Sequence, residues 1–421
     1  MYWKTVLGNG LRIVSSPMPH TRSVCVCIFV GAGSRYEAAA ESGVSHFGEH
    51  LCFKGTERRP TAKDISEAID GVGGVLNGAT DKEMTVYWAK VARNHFPLAL
   101  DLLVDMLRNS KFDPSEMENE RKVIVEELNM SMDSPQSRVD TLVDEVVWPN
   151  QPLGRDVAGS KETVGAMDRG MILGFLSRHY LPGNAVVGVA GDIGHDEVVD
   201  AVQSVLADWP DGPAGAWSPA DDSQSAPRLV VEQRQTEQVQ LCLAVRGLWH
   251  THPDRFTLDV LNLILGEGMS SRLFQEIRER QGLAYDVHSQ LSYLHDSGSL
   301  NVWAGVDPKR LDDTIRAIIG ELVKLKDVQV SEAEVVKAKE MGKGRLALRM
   351  EDTRSVAGWM AGQELLTGRI RSVDEVVSML EAVTRADVQR VAQDLFRTDK
   401  LCLAVVGPSS DESRLEKLLR L

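Results

Sequence analysis

The chain runs through one order of elements twice. Residues 5–206 and 228–421 each read as strand, strand, helix, helix, strand, strand, long helix, charged helix, further helices and a final strand. A self-similarity with a period of about 200 residues restricts the chain to two copies of one domain, and 421 residues exceed what a single core ordinarily holds. Val86-Tyr-Trp-Ala-Lys-Val91, followed by an expected helix from Pro97 to Asn109, answers Leu300-Asn-Val-Trp-Ala-Gly305 and an expected helix from Asp307 to Lys326. Tyr180–Asp192 answers Phe396–Pro408 in the same way. The stretch between the copies is rich in Pro, Gly, Ala, Ser and Asp, which marks a linker. The expected organisation is a domain over 1–207, a linker over 208–227 and a homologous domain over 228–421. The expected fold class is α+β: two tandem domains, each a mixed, mainly antiparallel β-sheet with helices packed on one face.

Only the first copy is armed. His46-Phe47-Gly48-Glu49-His50 places two imidazoles four residues apart, which on a helix means an offset of about 40° and about 6 Å along the axis. Both can reach one metal ion, and Glu49 falls beside them as a base for a water on that metal. The order H-x-x-E-H inverts the H-E-x-x-H of common zinc peptidases. Gly43-Val44-Ser45 is a plausible helix start, and the two histidines then lie among apolar Val44, Leu51 and Phe53, where an imidazole needs a partner. The alternative is a helix carrying two surface histidines and a glutamate.

A catalytic zinc takes three protein ligands and leaves one position open, whereas a structural zinc is closed by four, usually with Cys. Cys25, Cys27, Cys52, Cys242 and Cys402 show no C-x-x-C spacing, so a carboxylate is the better search target. Pro114 to Met132 reads as a helix with Asp113 as N-cap and Glu116 at its third position. Its polar face is Asn119, Lys122, Glu126, Asn129 and Asp133; the opposite stripe holds Glu120, Val123, Ile124, Glu127 and Leu128. That periodicity turns Glu127 towards the core, and zinc would satisfy its charge. Pairing with a buried Arg or Lys is the alternative. Glu120, about 10 Å from Glu127 along the axis, suits a role behind the ligands or on the substrate amine.

In the second copy the position answering His46–His50 reads Phe256-Thr-Leu-Asp-Val-Leu-Asn-Leu, and the counterpart of the Glu127 segment is basic around Lys343 and Arg345. This copy has no ligand set. His250-x-His252 precedes Pro253 in a loop and reads as surface.

His46-Phe-Gly-Glu-His50-Leu-Cys-Phe-Lys-Gly-Thr56, Leu76-Asn77 with Thr85-Val-Tyr87, and Glu120-Arg121-Lys-Val-Ile-Val-Glu-Glu127 together resemble the pitrilysin–insulinase family of metallopeptidases, and its mitochondrial-processing-peptidase branch in particular. The resemblance covers essentially the whole chain. Gly48 stands where the family usually has a larger apolar residue, and Gly78 where Ala is common. The resemblance puts the distal zinc ligand on Glu127. It also implies that Arg278 and Tyr285, in Leu273-Phe-Gln-Glu-Ile-Arg278-Glu-Arg-Gln-Gly-Leu-Ala-Tyr285, reach the substrate, with the phenol donating to the oxyanion. On the residues alone, Arg278 equally belongs to a charged helix face and Tyr285 equally just opens a strand. The implied function is a zinc-dependent endopeptidase with one Zn2+ per chain held by His46, His50 and Glu127. Glu49 would be its general base, and Asn77 would bind an extended peptide at a sheet edge. Unfolded peptides would be cleaved in a closed chamber, and the chain would work as a homodimer or with a second homologous subunit. The rival readings are a non-catalytic assembly subunit resembling respiratory-complex core proteins, and a hydrolase of a small amide.

Composition excludes some partners. A net charge of −14 argues against nucleic acid, and no run approaches 18 apolar residues, which argues against a membrane span. Met1-Tyr-Trp-Lys-Thr-Val starts directly into a strand pattern without signal character. Cysteines without a disulfide pattern suit a reducing compartment, and a bacterial-type cytoplasmic location is expected.

Overall fold

The computed structural model describes residues 2–213, 215–408 and 411–421; Ala214, inside the expected linker, lies outside the described residues. The chain forms two compact units. The first comprises Met1–Leu128, Asp156–Ser218 and Ala347–Ser372, the second Asn129–Arg155, Pro219–Leu346 and Val373–Leu421.

The first unit is built on strands β1 (Trp3–Val6), β2 (Arg12–Pro17), β3 (Ser23–Val30), β4 (Val75–Thr80), β5 (Thr85–Ala92) and β6 (Ala185–Gly191). They lie in the order β1-β2-β6-β3-β5-β4. β2 runs parallel to β6 and the other neighbours pair antiparallel. The second unit is built on β7 (Arg228–Gln233), β8 (Val239–Arg246), β9 (Ala284–Tyr293), β10 (Gly298–Val306) and β11 (Leu401–Gly407). Their order is β7-β11-β8-β10-β9, with β7 parallel to β11. Apart from the extra β1, the two sheets share one topology, so the α+β class and the mixed, mainly antiparallel sheets are as expected.

One face of each sheet carries the main core. In the first unit Ile13, Val26, Ile28, Tyr87 and Val187 pack with Phe47, Leu51, Phe96, Leu103 and Phe175 from the helices on that side. The other face is not bare. β3 and β6 are apolar without alternation and buried on both sides, the pattern of a strand covered twice. Their second face, with Val14, Cys25, Cys27, Phe29 and Val186, receives Val356, Ala357, Met360 and Ala361 of the helix Thr353–Thr367. Gly188 permits this close approach: a Cβ there would lie 2.8 Å from Ala361 Cβ and 2.9 Å from the Ala357 carbonyl oxygen. In the second unit Cys242, Ala244, Cys402 and Val406 receive Val139, Leu142, Val143 and Val146 of the helix Pro135–Val147.

Each unit therefore takes one helix from the other half of the sequence, and the units are not the contiguous stretches 1–207 and 228–421. The physical reason is the second apolar face of each sheet, which the helices of its own half leave uncovered.

The candidate metal centre

The helix Val44–Cys52 sits between β3 and β4 in the chain. Gly43 precedes it with φ of 92°, in the left-handed region that favours glycine. The Glu37 carboxylate accepts from the Gly43 and Ser45 amides at 2.8 and 2.9 Å, satisfying N–H groups the first turn leaves without partners. Phe47 and Leu51 are fully buried, and burial of each side chain contributes roughly 1.5–3 kcal/mol. This fixes the rotation of the helix and leaves His46 and His50 side by side on its other flank. Their ring centroids are 4.5 Å apart.

The helix Pro114–Asp133 begins where Asp113 accepts from the Ser115 amide at 2.8 Å. Met117, Glu120, Ile124 and Leu128 form its buried stripe. The Glu127 side chain is 44% exposed, so it is not turned into the core as its periodicity suggested. Residues seven apart on an α-helix drift by about 20°, and the drift carries Glu127 to the border of the stripe. From there its Oε2 lies 3.8 Å from His46 Nε2 and 3.7 Å from His50 Nε2, and the two Nε2 atoms are 3.2 Å apart. Zinc bound at about 2.0–2.1 Å by tetrahedral donors sets those donors about 3.3–3.4 Å apart. The three donors fit such an ion closely.

Glu49 also offers a carboxylate oxygen, within 4.8 Å of both histidine donors. Glu127 is the nearer acid to both Nε2 atoms, and Glu49 Oε2 is already engaged, accepting from Thr80 Oγ1 at 3.3 Å. Gly78 on β4 leaves the space that Glu49 fills: a Cβ at Gly78 would lie 2.5 Å from Glu49 Oε1. Glu120 is buried behind His50, its Oε2 3.1 Å from His50 Nδ1 and its Oε1 2.6 Å from Lys54 Nζ. Both Glu120 oxygens are thus engaged within the protein, one by an imidazole and one by an ammonium. Asn77 is exposed on the edge strand β4, with its own Oδ1 accepting from the Gly78 amide at 2.8 Å.

Burial, reinforced by the nearby His50, lowers the His46 pKa to about 4, so its ring is a neutral lone-pair donor at neutral pH. Its buried Nδ1 makes no hydrogen bond among the described residues. Burial raises the Glu49 pKa, opposed by His50 and Thr80 and aided by Glu127, which moves this carboxyl towards the range a general base needs. For His50, burial works against protonation, but Glu120 and the charges of Glu49 and Glu127 outweigh it and raise the pKa. For Glu120, burial is outweighed by the bonds from His50 and Lys54, and its pKa falls.

Arg278 and Tyr285 belong to the second unit. Arg278 lies on a π-helical stretch, Phe274–Arg280, a rare form found disproportionately at functional sites. Its guanidinium is held between the rings of Phe274 and Tyr285, 4.7 and 4.6 Å from their centroids. Tyr285, at the start of the edge strand β9, is 78% exposed. The chain thus brings together His46, Glu49, His50, Glu120 and Glu127 in one unit and Arg278 with Tyr285 in the other. His250, read as surface, is half-buried, and burial lowers its pKa to about 3.

Sequence reasoning missed Lys54 and Thr80. Lys54 lies four residues after His50, and that spacing was the available signal. Thr80 had none, because its contact with Glu49 depends on how β4 lies over the helix.

Residues 12–161 match the insulinase domain of peptidase family M16, and residues 166–341 match the peptidase M16 inactive domain. A Bacillus subtilis protein described as an uncharacterized zinc protease is 36% identical over 403 residues, covering 96% of this chain and 97% of its own. The crystal structure of a protease from Helicobacter pylori superposes with a TM-score of 0.91 at 24% identity, covering 97% of this chain and 99% of the other. A chain of complex III2 from Candida albicans superposes with a TM-score of 0.85 at 20% identity, covering 100% of both.

Proposed function

Because the chain belongs to the insulinase-type M16 peptidase family, we propose that it is a zinc-dependent endopeptidase whose metal is held by His46, His50 and Glu127. The observation that carries this is the convergence of three donor atoms at 3.2, 3.7 and 3.8 Å on one another. When bound there, zinc supplies Lewis acidity and lowers the pKa of a coordinated water to about 7. Glu49 takes a proton from the attacking water and delivers it to the leaving amine nitrogen. Thr80, bonded to Glu49 Oε2, keeps that carboxylate in one orientation. The exposed edge of β4 receives an extended peptide as a further strand, with Asn77 as a side-chain partner. Tyr285 donates to the oxyanion, and Arg278, stacked between two rings, holds a carbonyl or carboxylate oxygen of the substrate.

The reading includes a homodimer enclosing a chamber that admits unfolded peptides, with the first-half residues of one copy serving alongside the second-half residues of its partner. Mixing Glu49→Gln with Tyr285→Phe chains then restores activity, because half the sites in a mixed dimer are intact; sites made within one chain leave the mixture no more active than the two variants measured apart. Among the described residues no helix is long and apolar enough to cross a membrane, and a bacterial cytoplasmic location remains part of the proposal.

The test of the activity is cleavage of a quenched peptide library, abolished by a chelator and restored by zinc. A non-catalytic assembly role draws on the likeness to the complex III chain, which concerns fold alone. A zinc-loaded chain that cleaves nothing in the library would favour it.

A further inference from the structure

Lys54 forms no hydrogen bond or ion pair with the imidazoles or Glu127, yet it bonds the carboxylate of Glu120 that stands behind His50. Glu120 is 4% exposed, and its two oxygens are divided: Oε1 lies 2.6 Å from Lys54 Nζ and Oε2 lies 3.1 Å from His50 Nδ1. Dividing the oxygens in this way fixes both the direction and the plane of the carboxylate. The His50 ring must then donate through Nδ1–H, which leaves its Nε2 lone pair aimed at the point it shares with His46 Nε2 and Glu127 Oε2.

Charge makes the same demand. Glu49, Glu120 and Glu127 crowd two imidazoles, and a buried carboxylate needs an opposite charge or several hydrogen bonds. Lys54 is 28% exposed at its side chain, so its ammonium keeps part of its hydration while reaching Glu120. It gets there because the chain turns at the helix end, where the Phe53 and Lys54 amides bond back to the His50 and Leu51 carbonyl oxygens. That turn sends the side chain along the flank of the helix that carries the histidines.

On the reading that this is a zinc site, we propose that Lys54 is a positioning residue of the metal centre: it holds Glu120 so that Glu120 holds His50 in the Nδ1–H tautomer. The inference concerns ligand geometry and so has two readouts apart from turnover. The first is the His50 tautomer in the metal-free protein, read from imidazole ¹⁵N shifts at a pH high enough for the ring to be neutral. The second is zinc affinity, measured by competition with a chromophoric chelator.

Wild type is expected to show Nδ1–H at His50. Lys54→Met is expected to show a mixture of tautomers and zinc binding weaker on the order of 10-fold, in line with losses at residues that support ligands. Lys54→Arg is expected to keep the tautomer and stay within about threefold of wild-type affinity, since a guanidinium also bonds a carboxylate. Combining Lys54→Met with Glu120→Gln is expected to weaken binding no further than Glu120→Gln alone. Lys54→Gln, which keeps a donor without the charge, supplies the same readouts if Lys54→Met does not fold. An unchanged His50 tautomer in Lys54→Met, or zinc affinity equal to wild type with only a lower Tm, would overturn the inference and leave Lys54 a purely structural residue. Failure of wild type to bind zinc would instead sink the proposed function, and the tautomer measurement would still decide the role of Lys54.

Discussion

In the first unit the helix Val44–Cys52 lies between β3 and β4 in the chain; in the second, the helix Arg255–Leu265 lies between β8 and β9. The first presents Glu49 to Thr80 of the edge strand at 3.3 Å, and the second presents Asn262 to Ser289 of its edge strand at 2.7 Å. Around that shared scaffold the polar groups differ in kind. In the first unit, His46 Nε2, His50 Nε2 and Glu127 Oε2 converge, lying 3.2, 3.7 and 3.8 Å from one another. In the second, Asn262 donates to Glu267 at 2.5 Å, Glu267 pairs with Arg345, and Tyr293 donates to Asp259 at 2.7 Å. Donors meet acceptors there and opposite charges meet each other. The same topology carries a convergent His–His–Glu cluster in one unit and a network of matched donors, acceptors and charges in the other.

The contrast breaks first at the base and the ligands. Glu49→Gln should lower turnover about 10³-fold while zinc content stays at one per chain, and His46→Ala, His50→Ala and Glu127→Gln should each lose the metal. Metal analysis of the four variants decides it: zinc lost from Glu49→Gln and kept in Glu127→Gln would exchange the roles of these two glutamates. Zinc remaining in His46→Ala would mean that His50 and the neighbouring carboxylates hold it without His46.

The next effect tests whether the second unit takes part in the chemistry. Tyr285→Phe should lower kcat roughly 10²-fold with zinc unchanged. Wild-type turnover in that variant would reduce the π-helix and its stacked Arg278 to architecture.

Stability against pH tests what the two units share, a histidine held neutral by burial. The His179 pKa is lowered to about 4, by burial and then by Arg178, and that of His250 to about 3. Both residues protonate near 6.5 when unfolded. Between pH 6.5 and about 4 the unfolded state therefore binds more protons, and stability falls as pH falls. Urea unfolding of the metal-free protein should show a loss on the order of 1 kcal/mol per histidine between pH 7 and 5, and His179→Gln should flatten the slope. A stability that rises towards pH 5 would show that other groups govern this window.

The smallest effect lies within the helix Val44–Cys52. A Cβ at Gly48 would meet Leu176 Cδ2 at 3.5 Å and Ile172 Cγ2 at 3.7 Å, ordinary contacts in a buried position. Gly48→Ala should therefore stabilise by about 0.5–1 kcal/mol, readable as a higher urea midpoint. A lower midpoint would mean that the helix already sits as close to its neighbours as it can.

By itself the sequence determined what depends on neighbours within a turn or two along the chain. The five residues His46–His50 imposed two imidazoles on one helix flank, the helix Pro114–Asp133 held the carboxylate candidates Glu120 and Glu127, and the repeat declared two sheets of related topology. The apolar runs Ser23–Val30 and Ala185–Gly191 were legible as strands, but helices were expected on one face only, and cover on the second face was not. Which helix covers the second face could not be read from them. Any amphipathic helix satisfies that demand locally, and only the long-range packing of Ala357 and Ala361 against Gly188 selects Thr353–Thr367. The exposure of Glu127 and the reach of Lys54 to Glu120 were likewise decided in three dimensions. Helix periodicity gives a direction to within a few tens of degrees, while ligation and hydrogen bonding turn on differences of less than 1 Å or so.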